Sequence, residues 1–225
     1  MASNYKMNYN VDIVFVIDST GSMGHVVDMV KNNALSFHDQ LMESMAKKQK
    51  KVDKLRARII AFKDYLADEL PMLVTDFYNL PEEVGDMRQV MNSITADGGG
   101  DEPEDALEAL GYAIRSKWDT SCMKSRHIIA LYTDASAHQL GFGAASPKYP
   151  RAGMARNISE LTSWWDNPAY IKQSAKRLLL FAPGTADWNY ISDNWSNVIH
   201  TQSQAGEGLS EIDFKEILSV IANSI

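Results

Sequence analysis

Two stretches of this chain are apolar on both of the faces a strand presents: DIVFVID at 12–18 and HIIALYTD at 127–134. A strand with one wetted face alternates apolar and polar side chains, so runs like these belong in a sheet covered on both sides. A layered α/β arrangement supplies that cover. Apolar, β-branched runs recur between longer amphipathic stretches, with strands expected near 12–18, 56–62, 71–77, 127–133, 177–182 and 197–201. Helices are expected near 23–50, 82–95, 102–117, 154–166, 187–195 and 210–223. The last, SEIDFKEILSVIANS, sets Ile212, Leu218 and Ile221 beside Phe214 and Ile217 as an amphipathic stripe. Only KDYLADEL separates the second and third strands, which is too short for a crossover helix. The expected fold class is therefore α/β: a doubly wound, mostly parallel six-stranded sheet of Rossmann-like type, with one antiparallel edge strand and helices on both faces.

Length and charge narrow the setting. A chain of 225 residues, 45% apolar and 23% charged, reads as one domain over 1–225, with an N-terminal extension at 1–10. The longest apolar runs, Ile13–Ile17 and Leu178–Ala182, are five residues each, far short of the roughly 20 that a membrane span needs. MASNYKMNYNVD holds no secretory signal, and the lone Cys122 cannot form an internal disulfide. A cytoplasmic setting with no membrane partner is the expectation, with a monomer favoured. The net charge of −7 argues against nucleic acid. The basic stretch KKQKKVDK at 47–54 reads as a solvated helix end. Neither an internal repeat nor a low-complexity linker is visible. The irregular segment is 135–153, ASAHQLGFGAASPKYPRAG, where Gly, Pro and Ser replace periodicity; loops of that length are usually functional.

The chemistry gathers where strands end. VFVIDSTGSMG at 14–24 runs from hydrocarbon straight into Asp18, Ser19, Thr20, Gly21 and Ser22, and Asp134 ends the fourth strand. Ligands of open α/β sheets bind beyond the carboxyl ends of strands, where strand order reverses. If the first and fourth strands are neighbours, both carboxylates meet there with Thr20 and Ser22. A third polar loop, ADGGGDEPED at 96–105, reaches the same edge and offers Asp101. Carboxylates and hydroxyls without Cys or His form a hard oxygen set, suited to Mg²⁺ or Mn²⁺ rather than Zn²⁺ or copper.

Asp18, Thr20 and Ser22 match the D-x-[S/T]-x-S motif of von Willebrand factor A domains, and the segments GGGDEPED and YTDAS follow in the right order. The chain resembles that family over residues 10–225, closest to intracellular and microbial members, including those attached to alpha-kinases. The resemblance implies a metal-ion-dependent adhesion site. Asp18 would hold Mg²⁺ directly or through water, with Mn²⁺ or Ca²⁺ as alternatives. Thr20 and Ser22 would ligate through their hydroxyls, and Asp134 would complete the set. Asp101 stands where many adhesion members have a threonine. The implied function is a metal-dependent protein-binding module, not an enzyme, whose open coordination position takes an acidic side chain of a partner protein. Sliding of the final helix, known in some relatives, does not follow from this sequence.

Plainer roles compete at several positions. Ser22 suits a helix cap, and Asp101 with Glu104 three residues on resembles a capping box. Gly98, Gly99 and Gly100 lack the lysine and spacing of a phosphate-binding P-loop. His138, four residues past Asp134, reads as a surface residue, while Trp164 and Trp165 read as helix packing with one of them exposed. Phe142 and Tyr149 are the expected partner contacts of the long loop. The rival function is a metal-dependent phosphoester hydrolase, but Thr20 stands where an aspartate-nucleophile phosphatase needs its second aspartate, so binding is the preferred reading.

Overall fold

A computed structural model describes residues 7–33, 36–99, 103–211 and 213–225. The element order is β1 (Met7–Asp18), α1 (Gly24–Asn33), α2 (Phe37–Lys47), β2 (Lys50–Phe62), β3 (Met72–Val74), β4 (Tyr78–Leu80), α3 (Val84–Ser93), α4 (Ala106–Ile114), β5 (Ser125–Tyr132), α5 (Ile158–Trp165), β6 (Lys176–Pro183), α6 (Ala186–Asn194), β7 (Val198–Ser203) and α7 (Phe214–Ser224). The strands form one sheet in the order β3-β2-β1-β5-β6-β7, and β4 also pairs with β2. Pairing is parallel throughout except where β3 and β4 run antiparallel to β2. From β1 the chain builds outward to β2 on one side and, through β5, to β6 and β7 on the other. The strand order therefore reverses between β1 and β5, as the doubly wound reading requires.

Alternation along the two central strands sorts the helices. Ile13, Phe15 and Ile17, with Ile128, Ala130 and Tyr132, face the layer of α1, α2, α3 and α7. Val14 and Val16, with Ile129 and Leu131, face the layer of α4, α5 and α6. On α2 the buried side chains are Phe37, Leu41 and Met45, one per turn, which is the spacing that keeps a stripe on one helix face. α5 starts where the Asn157 side chain accepts the Glu160 N–H at 2.9 Å. Among the described residues no helix is long and apolar enough to cross a membrane.

The structure departs from the sequence-based boundaries in three places. The expected helix 23–50 is α1 and α2, and β2 begins at Lys50 because residues 7–10 extend β1 and pair with 50–54. The basic stretch 47–54 is thus a helix end only at Lys47 and Lys48. Gln49, at φ 55°, turns the chain, and Lys50–Lys54 lie in the strand, where Lys51 pairs with Asp53 and Lys54 with Asp119. The edge strand expected at 71–77 is split into β3 and β4, which makes seven strands rather than six. Between the two pieces the Thr75 N–H donates to the Ile59 carbonyl at 3.0 Å while the Thr75 hydroxyl accepts the Ile59 N–H at 3.0 Å, so a side chain takes the place of one carbonyl of the ladder at the break. The helix expected at 102–117 begins at Ala106. Ile212, placed on the final stripe, lies outside the described residues.

Both tryptophans of α5 pack inward. Trp165 is fully buried, stacks on Trp195 at 5.4 Å and donates to the Ser196 carbonyl at 3.0 Å, while Lys176 lies 4.6 Å over its ring. Trp164 is buried as well, so neither ring is exposed. Trp165→Ala is expected to cost about 3–5 kcal/mol in urea denaturation. A loss under about 1 kcal/mol would contradict the packing described here.

Candidate functional site

Strand register builds the site. Ile17 pairs with Tyr132, so Asp18 stands level with Thr133 and one residue short of Asp134. The Asp18 carboxylate is fully buried. Its Oδ1 accepts the Thr20 N–H at 3.0 Å and the Thr20 hydroxyl at 2.6 Å, and its Oδ2 accepts the Thr133 hydroxyl at 2.7 Å. These bonds answer why hydrocarbon gives way so abruptly to small polar residues: a carboxylate at the buried end of a central strand needs donors from its own turn. Burial pushes the Asp18 carboxyl up to about 6, against the pull of those donors, with the charge of Asp134 adding to the rise.

Asp134 is held from two other segments. Its Oδ1 accepts the Ser22 hydroxyl at 3.0 Å, its Oδ2 the Gly208 N–H at 2.8 Å, and its carbonyl the Gly206 N–H at 2.9 Å. Ser22 sits in a short 3₁₀ turn, Gly21–Met23, and makes no cap; its hydroxyl is spent on Asp134. Asp18, Thr20, Ser22 and Asp134 are thus brought together. Asp101 lies outside the described residues. Among the described residues no three His, Cys, Asp or Glu side chains gather as a metal-holding group by themselves.

Sequence reasoning missed several participants. Thr133 and Gly208 hold the two carboxylates, and Glu104 is no helix cap. Its N–H donates to the Ser136 carbonyl at 3.0 Å, and its own carbonyl accepts the His138 N–H at 2.8 Å, so it forms a β-bridge with Ala137. The Glu104 side chain is buried, with Oε2 unpartnered among the described residues. Burial, then the charges of Asp18, Asp64, Asp68 and Asp105, push it up to about 9. Gly99, at φ +76°, packs against this group. A Cβ there would stand 2.9 Å from the Thr20 Cβ and 3.1 Å from the Glu104 Oε1. The glycines therefore serve close packing at the site, and Gly98 gives its carbonyl to the Gly21 N–H at 3.3 Å.

Beside the site, buried acids anchor the long loop. Glu108, in the middle of the otherwise apolar α4, accepts the Gly141 N–H and the Tyr149 hydroxyl through Oε1, each at 2.9 Å. Asp105 accepts the Tyr65 N–H at 2.6 Å. His138 is buried, not a surface residue. Its Nε2 lies 3.1 Å from the Asp64 Oδ2, and Phe142 stacks on its ring at 3.8 Å. Of the two expected contact residues, Phe142 is 52% exposed. Tyr149 is turned inward against Tyr65, at 5.0 Å. A glutamate amid the apolar run ALEALGYAI was the sequence signal for this buried cluster.

The residues present fit a hard divalent ion. Every donor is an oxygen, and the Thr20 and Ser22 hydroxyls point their hydrogens at the carboxylates, which leaves their lone pairs for a cation. Burial lifts Asp18 and Glu104, and the charge of Asp134 on the first and of Asp18 on the second adds to it; a positive ion relieves that added repulsion.

The family model of the von Willebrand factor A domain matches residues 12–141, the segment carrying both strand-end aspartates. The chain belongs to the von Willebrand factor A domain family. Among solved structures it is similar to a von Willebrand factor type A protein from Catenulispora acidiphila, with a TM-score of 0.55, 13% identity, and coverage of 96% of this chain and 43% of that one. It is similar also to the pilus adhesin SpaC from Lactobacillus rhamnosus GG, with TM-score 0.53, 12% identity, 95% of this chain and 30% of that one. A third is proximal thread matrix protein 1 from the mussel byssus, with TM-score 0.50, 13% identity, 96% of this chain and 47% of that one. The chain spans less than half the length of each of these proteins, and at such identities the likeness is one of fold. No curated protein sequence matches it.

Two expectations follow for this von Willebrand factor A domain. Gly208 has φ +61°, and a Cβ there would stand 2.2 Å from the Ser22 carbonyl oxygen. Gly208→Ala is expected to cost about 1–3 kcal/mol through backbone strain, read by urea denaturation, and a neutral result would contradict the close approach. The second concerns pH. Burial raises Glu108 from the ordinary 4.5 up to about 7, so the folded state holds a proton that the unfolded chain gives up. Its stabilising contribution is complete below about pH 4.5 and lost above about pH 7, about 3 kcal/mol in all. Asp18 and Asp105, each raised to about 6, act in the same direction. The metal-free protein is expected to lose melting temperature from pH 5 to pH 8, and Glu108→Gln to flatten that slope. A slope unchanged by Glu108→Gln would exclude Glu108 as its source.

Proposed function

We propose that this von Willebrand factor A domain is a metal-dependent protein-binding module. In this reading Asp18, Thr20, Ser22 and Asp134 hold Mg²⁺ at the carboxyl edge of the sheet, with Mn²⁺ or Ca²⁺ as substitutes, and Asp101 adds charge from the middle loop. The bound ion supplies a positive centre with one open coordination position, and a carboxylate of a partner protein fills it. Residues 1–225 act as one module, monomeric and cytoplasmic, with no nucleic acid or membrane partner. The observation that carries the reading is the pairing across the β1–β5 crevice. Two strand-end aspartates each take a hydroxyl from the same short turn, so one local segment organises both halves of an oxygen site. A binding role also accords with similarity in fold to a protein named an adhesin and another named a matrix protein.

One feature favours a hydrolase, the His138–Asp64 pair, which has the form of an oriented base. His138 is 7% exposed with Phe142 stacked on its ring, which leaves little of it open to a substrate, and binding remains the conclusion.

A ligand that binds only the folded state stabilises it by about 2.7 kcal/mol at 100 times its Kd, roughly 5–10 °C for a chain of this size. Mg²⁺ is expected to raise the melting temperature on that scale, and Asp18→Asn and Asp18→Ala to abolish the rise while the apo variants stay folded. An unchanged Mg²⁺ response in both variants would falsify the site. Mg²⁺-dependent turnover of p-nitrophenyl phosphate that is lost in Asp18→Ala would favour the hydrolase instead.

A further inference from the structure

A cleft of about 410 Å³ opens between the first part of the long loop, which starts directly after Asp134, and the starts of α5 and α6. Leu107, Leu140, Ile158, Tyr190 and Ala137 give it an apolar lining, with Arg156 and Asp187 as its charged members. Its volume falls within the roughly 300–1,000 Å³ typical of ligand pockets. Tyr190 is 42% exposed, while Leu107 and Leu140 are nearly covered, so the apolar surface forms a recess with one open wall.

Charge decides the class of occupant. The cation on the rim, Arg156, is held by Glu160, whose Oε2 accepts both its Nε–H at 2.9 Å and its backbone N–H at 3.0 Å. The anion on the rim, Asp187, accepts the Ala137 N–H. The Arg156 side chain is 85% exposed in a surface pair with Glu160 and stays in water, so a charged occupant reaching the covered leucines would lose hydration there. An uncharged apolar group loses little and gains burial.

Distance decides the occupant's source. Ala137 follows Asp134 by three residues, so their Cα atoms lie within about 11 Å of each other. An extended peptide advances about 3.3 Å per residue. A segment whose carboxylate sits at the strand-end aspartates therefore brings its own residue two to four positions along to the mouth of the cleft.

We infer that the cleft is a specificity pocket for the partner segment that supplies the metal-completing carboxylate, and that it takes an aromatic or branched aliphatic side chain two to four residues from that acid. The inference rests on the metal-dependent binding proposed above. The anchor side chain enters over Tyr190 and packs on Leu107, Leu140 and Ile158, while the acid fixes the register. A serine at the same position leaves the recess to water and contributes only the acid.

The test uses acetylated, amidated peptides in which Asp is followed by one, two or three glycines and then Phe, against the same peptides ending in Ser. They are titrated into the whole chain at saturating Mg²⁺ and followed by NMR shifts. One Phe spacing is expected to bind about tenfold more tightly than its Ser counterpart, the scale of burying part of a phenyl ring. Tyr190→Ser, at an exposed wall position, and Ile158→Ser should each erase the difference, with melting curves confirming the fold. Equal affinities at every spacing, or a Phe advantage that survives both substitutions, would overturn the pocket. The same titrations in EDTA separate the two claims. A Phe advantage that depends on Tyr190 and Ile158 but not on Mg²⁺ keeps the pocket and discards the metal.

Discussion

Everything distinctive at the top of this sheet depends on the parallel ladder between β1 and β5. The pairing of Ile17 with Tyr132 sets Asp18 beside Thr133 and puts Asp134 one step beyond. A slip of one residue would turn every side chain of the strand to the opposite helix layer, sending Ile13, Phe15 and Ile17 among the residues that pack on α4. The two core layers therefore enforce the register, and the register places the carboxylates. The apolar core and the polar site are not separate achievements of the sequence, because the alternation that buries the valines and isoleucines also aims the last residue of each strand.

Burying acids is costly unless donors or protons compensate. The protein uses two different answers. Asp18 and Asp134 receive hydroxyl and backbone donors from the turn after β1, from Thr133 and from the loop at 206–208. Glu108 receives two donors, both on Oε1, and Glu104 and Glu108 each keep a buried oxygen without a partner among the described residues. Burial raises both well above the ordinary range, so protons take the place of donors. The donors on the first pair compensate the burial of two strand-end carboxylates, whereas Glu108 of the second pair fixes the loop through its Oε1.

What was legible in the sequence follows the same division. Asp18, Thr20 and Ser22 act within one turn, so local spacing was enough to find them, and Asp134 followed once two double-faced strands were taken as neighbours. Thr133 was harder, since its hydroxyl matters only through a contact 115 residues away. Gly208 was invisible for a similar reason, because its N–H serves Asp134 from 74 residues further along. Glu104 misled because the chemistry of a cap and of a buried acid use the same residue after the same proline. The early start of β2 was hidden by its lysines. Pairing with residues 7–10 overrides a charge pattern that, read alone, suits a helix end.

The loop at 135–153 shows how the site and the neighbouring cleft share a foundation. Beside the backbone pairing with Glu104, four side-chain attachments help fix it: Trp188 donates to the Ala135 carbonyl at 2.9 Å, Asp187 takes the Ala137 N–H, Asp64 meets His138, and Glu108 takes both Gly141 and Tyr149. All four involve side chains from elements outside the loop, and three of them use acids. Such a loop owes its shape to directed bonds together with the burial of Ala135 and Leu140. Preorganisation of that kind lowers the ordering cost of binding. The aromatic residues divide accordingly: Tyr149 is turned inward to complete an anchor, while Phe142 stays 52% exposed.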